Sequence, residues 1–421
     1  MGEFGRVVIL MAPLVTMRVL ICSQSHGSTL PAATVGAALR EGWLAERPAD
    51  ELDLRPLGGG GAGFLAAVFS SGLAEPTLIT STASSPEPIP VTAGRSADEK
   101  TWWLETSDAA LGEEPAPHSP PDFTRSSATA GHLLGQIVRA GARRVIIGVG
   151  GARKYDGGIG FLAGLAAALD IHLPDDDAHH NGVAHFRTAA PDLSWLGELR
   201  QKLAGIELVG ACDVEAPLLG MSGVGAGYAT AEKIAPEHGA QLNTDLTRWA
   251  AAAYEAAAQQ EVAKHPSTHL EISGRKLLPL ADGRVGGAQR PGMAPFTGAG
   301  GGVGFALSLL GGQLQDGAGV LVSELNIAEA AEGYDLVLAT VADLEWRALA
   351  SGALVVLGEV VTPSLTPLIA VAQEVQVGRR EWARVGLSAT YEFPGIAGGA
   401  VVEQENALRN AGARLALTWS R

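Results

Sequence analysis

The feature that most constrains this chain is a recurring break: a short apolar run ends in glycine and gives way to residues with helical spacing. Residues 143–149 read as a buried strand, apolar from Val145 on, and end in Gly150-Gly151-Ala152-Arg153-Lys154-Tyr155-Asp156-Gly157-Gly158, and a further apolar stretch follows at 159–169. Arg18 to Cys22 runs into a polar turn ending at Leu30, and Val35, Ala38, Leu39 and Trp43 then share one helical face. A strand at 51–54 is followed by Gly58-Gly59-Gly60-Gly61-Ala62-Gly63, and Gly298-Ala299-Gly300-Gly301-Gly302-Val303-Gly304 opens another helix. Strand, turn and helix in alternation predict an α/β fold with a parallel sheet covered by helices. Glycine lets backbone approach a ligand closely, and a free helix N-terminus attracts phosphate or carboxylate. Each turn taken singly is better explained as tight chain reversal. Several together make an anion-binding site about as good an explanation.

Composition narrows the class. The 421 residues exceed one ordinary core and predict two or three domains. Hydrophobic residues at 47% and charged residues at 18% mark a globular chain. The net charge of −15, with no basic run, excludes a nucleic-acid partner. Cys22 and Cys212 each lie in an apolar run and read as buried thiols in a reducing compartment. No apolar stretch reaches the ~20 residues of a membrane span, and no cleavage site follows the run after Arg6. The fold is therefore expected to begin at Met17, with residues 1–16 as an extension, in a cytoplasmic protein.

Further strands are expected at 101–105, 207–212 and 335–340, with shorter ones at 354–356 and 368–371. Helices are expected at 129–140 and along the face of Leu246, Trp249, Ala253 and Ala256. Residues 82–126, rich in Ser, Pro and Thr, read as hairpins and loops.

Nucleotide and hydrolase signatures are absent: there is no G-x-x-x-x-G-K-[ST], no G-x-G-x-x-G after a strand, no G-x-S-x-G and no H-E-x-x-H. Asp156 and Asp213 each follow a buried strand, where open parallel sheets gather ligands. Either could hold Mg²⁺ or accept a proton, and either could equally cap its turn. Function is favoured slightly at Asp156, with glycines on its far side, and stands at evens for Asp213. Arg153 and Lys154 are candidate positive charges beside Asp156. The cluster Asp175-Asp176-Asp177-Ala178-His179-His180 fits no structural zinc spacing and reads as a solvated loop.

The order of these motifs resembles the bacterial type I glycerate kinases over roughly residues 17–375. The segment Ala211-Cys212-Asp213-Val214-Glu215-Ala216-Pro217-Leu218-Leu219-Gly220 is similar to that family's Ala-Cys-Asp-Val-x-Asn-Pro-Leu-x-Gly, with Ala216 for Asn. Ile146-Ile147-Gly148-Val149-Gly150-Gly151 resembles its Ile-Gly-Ile-Gly-Gly strand, and Asp156-Gly157-Gly158 keeps the Asp-Gly-Gly that follows. Residues 298–304 resemble its Gly-Ala-Ala-Gly-Gly-Met-Gly turn. Elsewhere the pattern departs. Gln24-Ser25-His26-Gly27 stands for Asp-Ser-Phe/Tyr-Lys, residues 58–63 lack both acids of Ala-Asp-Gly-Gly-Glu-Gly, and of Thr-Gly-Glu-Gly-Arg-x-Asp only a final acid, Glu345, remains.

The resemblance implies two α/β domains around a cleft. One is flavodoxin-like, from residues 17–65 and 290–421, and the other is the central segment 66–289. It implies ATP and Mg²⁺ as cofactors and a small organic acid, D-glycerate, as phosphoryl acceptor, with no membrane partner. Asp156, Asp213 and Glu345 are the implied catalytic acids, the first two also the metal ligands. Gly150, Gly151, Gly298, Gly300, Gly301 and Gly302 would line the nucleotide. Because one lysine and several acids are replaced together, a weakened or lost kinase activity is expected, the alternative being a non-catalytic relative that binds a metabolite or a protein. An enzyme of another class acting on a small acid is a third reading.

Overall fold

The computed structural model describes residues 16–27, 29–83, 87–115, 124–174, 192–264, 271–272, 275–276, 292–393 and 400–420. The extension at 1–15 and the acidic-histidine cluster at 175–180 lie outside them. The principal elements, in chain order, are β1 (Arg18–Cys22), α1 (Ala32–Glu46), β2 (Glu51–Leu54), α2 (Phe64–Ser70), β3 (Glu75–Ser81), β4 (Ile89–Arg95), β5 (Thr101–Glu105), α3 (Ala128–Arg139), β6 (Arg144–Val149), α4 (Ile159–Ala168) and β7 (Glu207–Cys212). There follow α5 (Pro236–Lys264), α6 (Val303–Leu309), β8 (Gln313–Asp316), β9 (Leu336–Leu344), α7 (Ala353–Val361), β10 (Leu368–Val375), β11 (Leu387–Glu392) and α8 (Val401–Trp419).

Two compact units result. The first comprises Met1–Pro56, Asn326–Ala350 and Leu354–Arg421. Its five strands lie in the order β11-β10-β9-β1-β2, all parallel. Numbered within the unit and read from β2, this is the order 2-1-3-4-5 of flavodoxin-like sheets. The strands are apolar because helices cover them: Val19, Leu20, Ile21 and Cys22 are fully buried, and α1 packs against α8 so closely that a Cβ on Gly42 would stand 1.8 Å from the Arg409 carbonyl oxygen.

The second unit spans Leu57–Leu325 with Ser351–Ala353. Its six-stranded sheet has the order β8-β7-β6-β5-β4-β3. The four strands β8, β7, β6 and β5 run parallel, and β4 and β3 close the edge antiparallel. Its core joins Leu133, Leu134 and Ile137 of α3 to Phe161, Leu162 and Leu165 of α4, and reaches Leu246 and Trp249 of α5. The expected face of α5 is therefore the buried one. The chain divides at 56/57 and 325/326 instead of 65/66 and 289/290, since β8 pairs with β7 and brings the 298–304 turn with it.

One expected strand is a helix. Residues 354–356, expected as a short strand, lie in α7. Leu354, Leu357 and Val361 recur at helical spacing and are the buried positions, so the periodicity overrides local propensity. Both cysteines are buried and unbonded to each other. Burial pushes the Cys22 thiol up to about 12, and that of Cys212 higher still. Among the described residues no helix is long and apolar enough to cross a membrane.

Candidate functional site

In the second unit three backbone segments meet at the carboxyl ends of β5, β6 and β7. Parallel pairing puts Cys212 level with Val149, so the residues that follow, Gly150 and Asp213, emerge side by side. Asp213 Oδ2 accepts the Gly151 N–H at 3.1 Å. Position 150 tolerates only glycine here, because a Cβ would lie 2.0 Å from the Asp213 carboxyl carbon. The third segment is the glycine loop 58–63. A Cβ on Gly61 would stand 3.1 Å from Asp213 Oδ2, and Gly60, at φ +96, presses so closely on β7 that a Cβ would fall 2.1 Å from the Ala211 carbonyl oxygen.

Asp213 is open to solvent on one side, while these glycines crowd the other. The loss of hydration raises its carboxyl to about 6, against the lowering effect of the backbone N–H groups of Gly151, Val214 and Asp213 itself. Gly59, Ala62, Gly63, Gly151, Val214 and Glu215 are the exposed residues beside it. On the neighbouring strand β8, Asp316 caps the helix Gly317–Glu324 by accepting the N–H groups of Ala318 and Gly319. Burial raises its carboxyl too.

Asp156 has a different environment. It is 3% exposed, and both its oxygens are surrounded by donors. Ser127 supplies its N–H at 2.8 Å and its hydroxyl at 2.8 Å, and Gly158 and Gly160 supply N–H groups at 3.0 and 3.2 Å. The carboxylate thus ties the start of α4 to the start of α3. Of the two expected acids, Asp156 is engaged by donors on all sides, and Asp213 is the one that meets water. Glu345 follows β9 in the first unit, half-buried.

The glycines divide likewise. Gly150 and Gly151 adjoin Asp213. Gly300, Gly301 and Gly302 all take left-handed φ and interlock with the turn after β6. A Cβ on Gly301 would stand 1.6 Å from the Lys154 carbonyl oxygen, one on Gly302 2.4 Å from Gly157, and one on Gly298 2.4 Å from the Pro217 carbonyl oxygen. Gly157 N–H donates to Gly301 carbonyl at 3.0 Å. Gly298, Gly301 and Gly302 are thus explained by backbone meeting backbone, and Gly300 by its left-handed φ and the Val149 side chain, 2.9 Å from where its Cβ would stand.

Arg153 and Lys154 do not offer charge to Asp156. Lys154 is buried, 3.0 Å from Asp108 Oδ1 and 2.6 Å from Glu113 Oε2. Arg153 forks onto Glu232, which also accepts the Tyr155 hydroxyl at 3.0 Å. The hydrogen bond from Arg153 holds the Glu232 carboxyl below its ordinary value. Arg125 completes the network at 2.8 Å from Asp108 Oδ2.

Sequence reading missed Glu105, which ends β5 as a buried carboxylate. The signal was available, since Glu105 closes an apolar strand and precedes Thr106-Ser107-Asp108, as Asp213 closes β7.

Parallel strands whose carboxyl ends carry glycine turns and a partly desolvated acid define a ligand-binding α/β protein. Comparison with known proteins makes the class specific. The chain belongs to the glycerate kinase family, whose model matches residues 19–420. Glycerate 2-kinase of Escherichia coli K12 is 26% identical over 325 residues, 76% of either chain. An uncharacterized protein of Mycobacterium bovis is 27% identical over 394 residues, covering 91% of this chain and 86% of the relative. A crystal structure described as glycerate kinase 2 from Salmonella typhimurium LT2 superposes with a TM-score of 0.71 at 22% identity, over 96% of this chain and 98% of that one, which establishes the shared fold.

Proposed function

We propose that this chain transfers the γ-phosphoryl group of ATP to a small hydroxy acid, D-glycerate by family, at a rate below that of relatives with the full motifs. The observation that carries the reading is Asp213, an acid desolvated among glycines at a strand end. Mg²⁺ binds through one or two carboxylates together with phosphate oxygens and water. Asp213 fits that requirement, being an exposed oxygen donor whose carboxylate is crowded by glycine backbone on one side and open to a cation on the other. Asp156 does not fit it, because backbone and serine donors occupy its oxygens. Asp213 is accordingly the residue assigned to the metal–nucleotide, and Asp156 to the scaffold. When bound, Mg²⁺ neutralises the charge spread over the phosphates.

In the reaction the acceptor hydroxyl oxygen would attack the γ-phosphorus, the bond to the β,γ-bridging oxygen would break, ADP would leave, and the hydroxyl proton would pass to solvent water. Of the backbone amides near Asp213, those of Gly151 and Gly63 already serve Asp213 and Glu105, which leaves the rest of the 58–63 loop suited to hydrogen-bond phosphate oxygens. The reduced rate follows from charge. Glycine stands at position 27 where the resembling motif has lysine, and Arg153 and Lys154 are already paired with acids. Loss of one electrostatic group typically costs ~10²–10³ in rate.

The test is phosphate transfer from Mg·ATP to D-glycerate, with the product identified by NMR. Phosphoglycerate should form slowly, and Asp213→Asn should reduce turnover by about 10²-fold or more while leaving the melting temperature in place. A folded, monodisperse sample that forms no phosphoglycerate would overturn this reading in favour of a non-catalytic binder.

A further inference from the structure

We infer that Glu105 is a positioning residue that pins the glycine loop 58–63 across Asp213, an assignment that rests on the reading of Asp213 as the functional acid. Glu105 is 4% exposed at the carboxyl end of β5. Its Oε2 accepts the Leu65 N–H at 2.9 Å, and its Oε1 accepts the Gly63 N–H at 3.2 Å and the Ser107 hydroxyl at 2.5 Å. The two amides belong to the end of the loop and the start of α2, so one carboxylate fixes where the loop leaves the helix. Upstream, Gly60 presses on Ala211 and Gly61 approaches Asp213. The loop is thereby held at both ends: by steric contact with β7 and by charge-assisted hydrogen bonds to β5.

The same short segment holds the opposite wall. Asp108 N–H donates to the Gly151 carbonyl at 3.1 Å, Asp108 Oδ2 accepts the Arg153 N–H at 2.9 Å, and a Cβ on Gly151 would stand 3.0 Å from the Ser107 Cβ. Residues 105–108 therefore set the separation of the 58–63 loop from the 150–153 turn, the two segments between which Asp213 lies. A carboxylate suits position 105 because three donors converge on it and none of them needs a donor in return. Glutamine would turn its amide N–H₂ toward one of those donors.

The experiment compares Glu105→Gln and Glu105→Ala with wild type in the full chain, by amide hydrogen exchange and by phosphoryl transfer on the same samples. Exchange at Gly63 and Leu65 should accelerate about 10- to 100-fold in Glu105→Ala and less in Glu105→Gln, while β6 and β7 amides keep wild-type protection. Turnover should fall in the same order, with kcat changing more than KM for D-glycerate. Unchanged exchange at Gly63 and Leu65 would overturn the inference, and so would faster loop exchange with kcat and KM untouched. Acceleration spread evenly over the whole unit would reduce Glu105 to a stability residue and also defeat it. A wild type with the expected exchange pattern and no transfer defeats the functional reading alone and leaves the clamp standing.

Discussion

At the scale of single residues, two aspartates in similar sequence settings have different surroundings, and their hydrogen bonds separate them. Replacing Asp156 by alanine removes the acceptor from the N–H groups of Ser127, Gly158 and Gly160 inside a sealed region. Each orphaned donor costs about 1–3 kcal/mol, and partial relaxation makes the sum about 3–5 kcal/mol. Denaturant titration of Asp156→Ala should show that loss, and Asp213→Asn, which opens onto water, should lie within about 1 kcal/mol of wild type. His26 provides a second residue-scale prediction. Its ring is buried, stacks on Phe393 at 5.6 Å, and has no hydrogen-bond partner at either nitrogen among the described residues. Burial lowers its pKa to about 4, below the ~6.5 of an unfolded histidine. Between those values the unfolded state binds the extra proton, so stability is complete above pH 6.5 and falls as pH drops toward 4. His26→Phe keeps the stack and removes the proton site. Relative to wild type it should gain about 2 kcal/mol at pH 5 over its difference at pH 7.5, measured by urea unfolding at both. An unchanged difference would mean that the imidazole is solvated.

At the scale of elements, the glycine turns sort by what their missing side chains would strike. Gly27 has φ +62 with nothing within 4 Å, so Gly27→Ala should cost only the left-handed strain of about 1–2 kcal/mol. Gly301 has nearly the same φ, but its Cβ would overlap the Lys154 carbonyl oxygen. Gly301→Ala should cost at least about 2 kcal/mol more and lower the yield of folded protein. Comparison of thermal unfolding for the two variants checks this, and equal costs would show that the interlocked turns can part. This is also where sequence reading reached its limit. β1, β5, β6 and β7 were legible because a strand buried on both faces is a continuous apolar run. The helix α7 was misread because Val-Val pairs favour strands locally, although its buried residues follow a helical period. The sequence singles out both Asp156 and Asp213 by their places after apolar strands and slightly favours Asp156. It does not reveal the donors around Asp156, because Ser127 lies 29 residues earlier and only folding brings them together. The partners of Arg153 and Lys154 were hidden for the same reason: Glu232 is 79 positions from Arg153.

At the scale of the whole molecule, charge sets the terms on which an anionic substrate arrives. The chain carries 45 acidic against 30 basic residues, a net −15. In the second unit the arginines and lysine nearest the turn after β6 are committed: Arg125 to Asp108, Arg153 to Glu232, and Lys154 to Asp108 and Glu113. The field beyond the surface is therefore negative, and it opposes the approach of both Mg·ATP and a carboxylate acceptor. At 0.01 M ionic strength this repulsion acts over ~30 Å, and at 0.15 M over ~8 Å. Salt should then help this protein, whereas it slows enzymes that steer anions in with exposed cations. On the proposed function, kcat/KM for D-glycerate should rise by roughly two- to fivefold between 10 and 150 mM NaCl, with kcat nearly constant because the groups proposed to meet the phosphates are backbone amides and one acid. Stopped-flow binding of a fluorescent ATP analogue over the same range separates approach from chemistry, and its association rate should rise in parallel. A fall in both quantities would mean that arginines or lysines outside these ion pairs create a local positive potential strong enough to outweigh the net charge, and the search for the missing lysine's replacement would then turn to them.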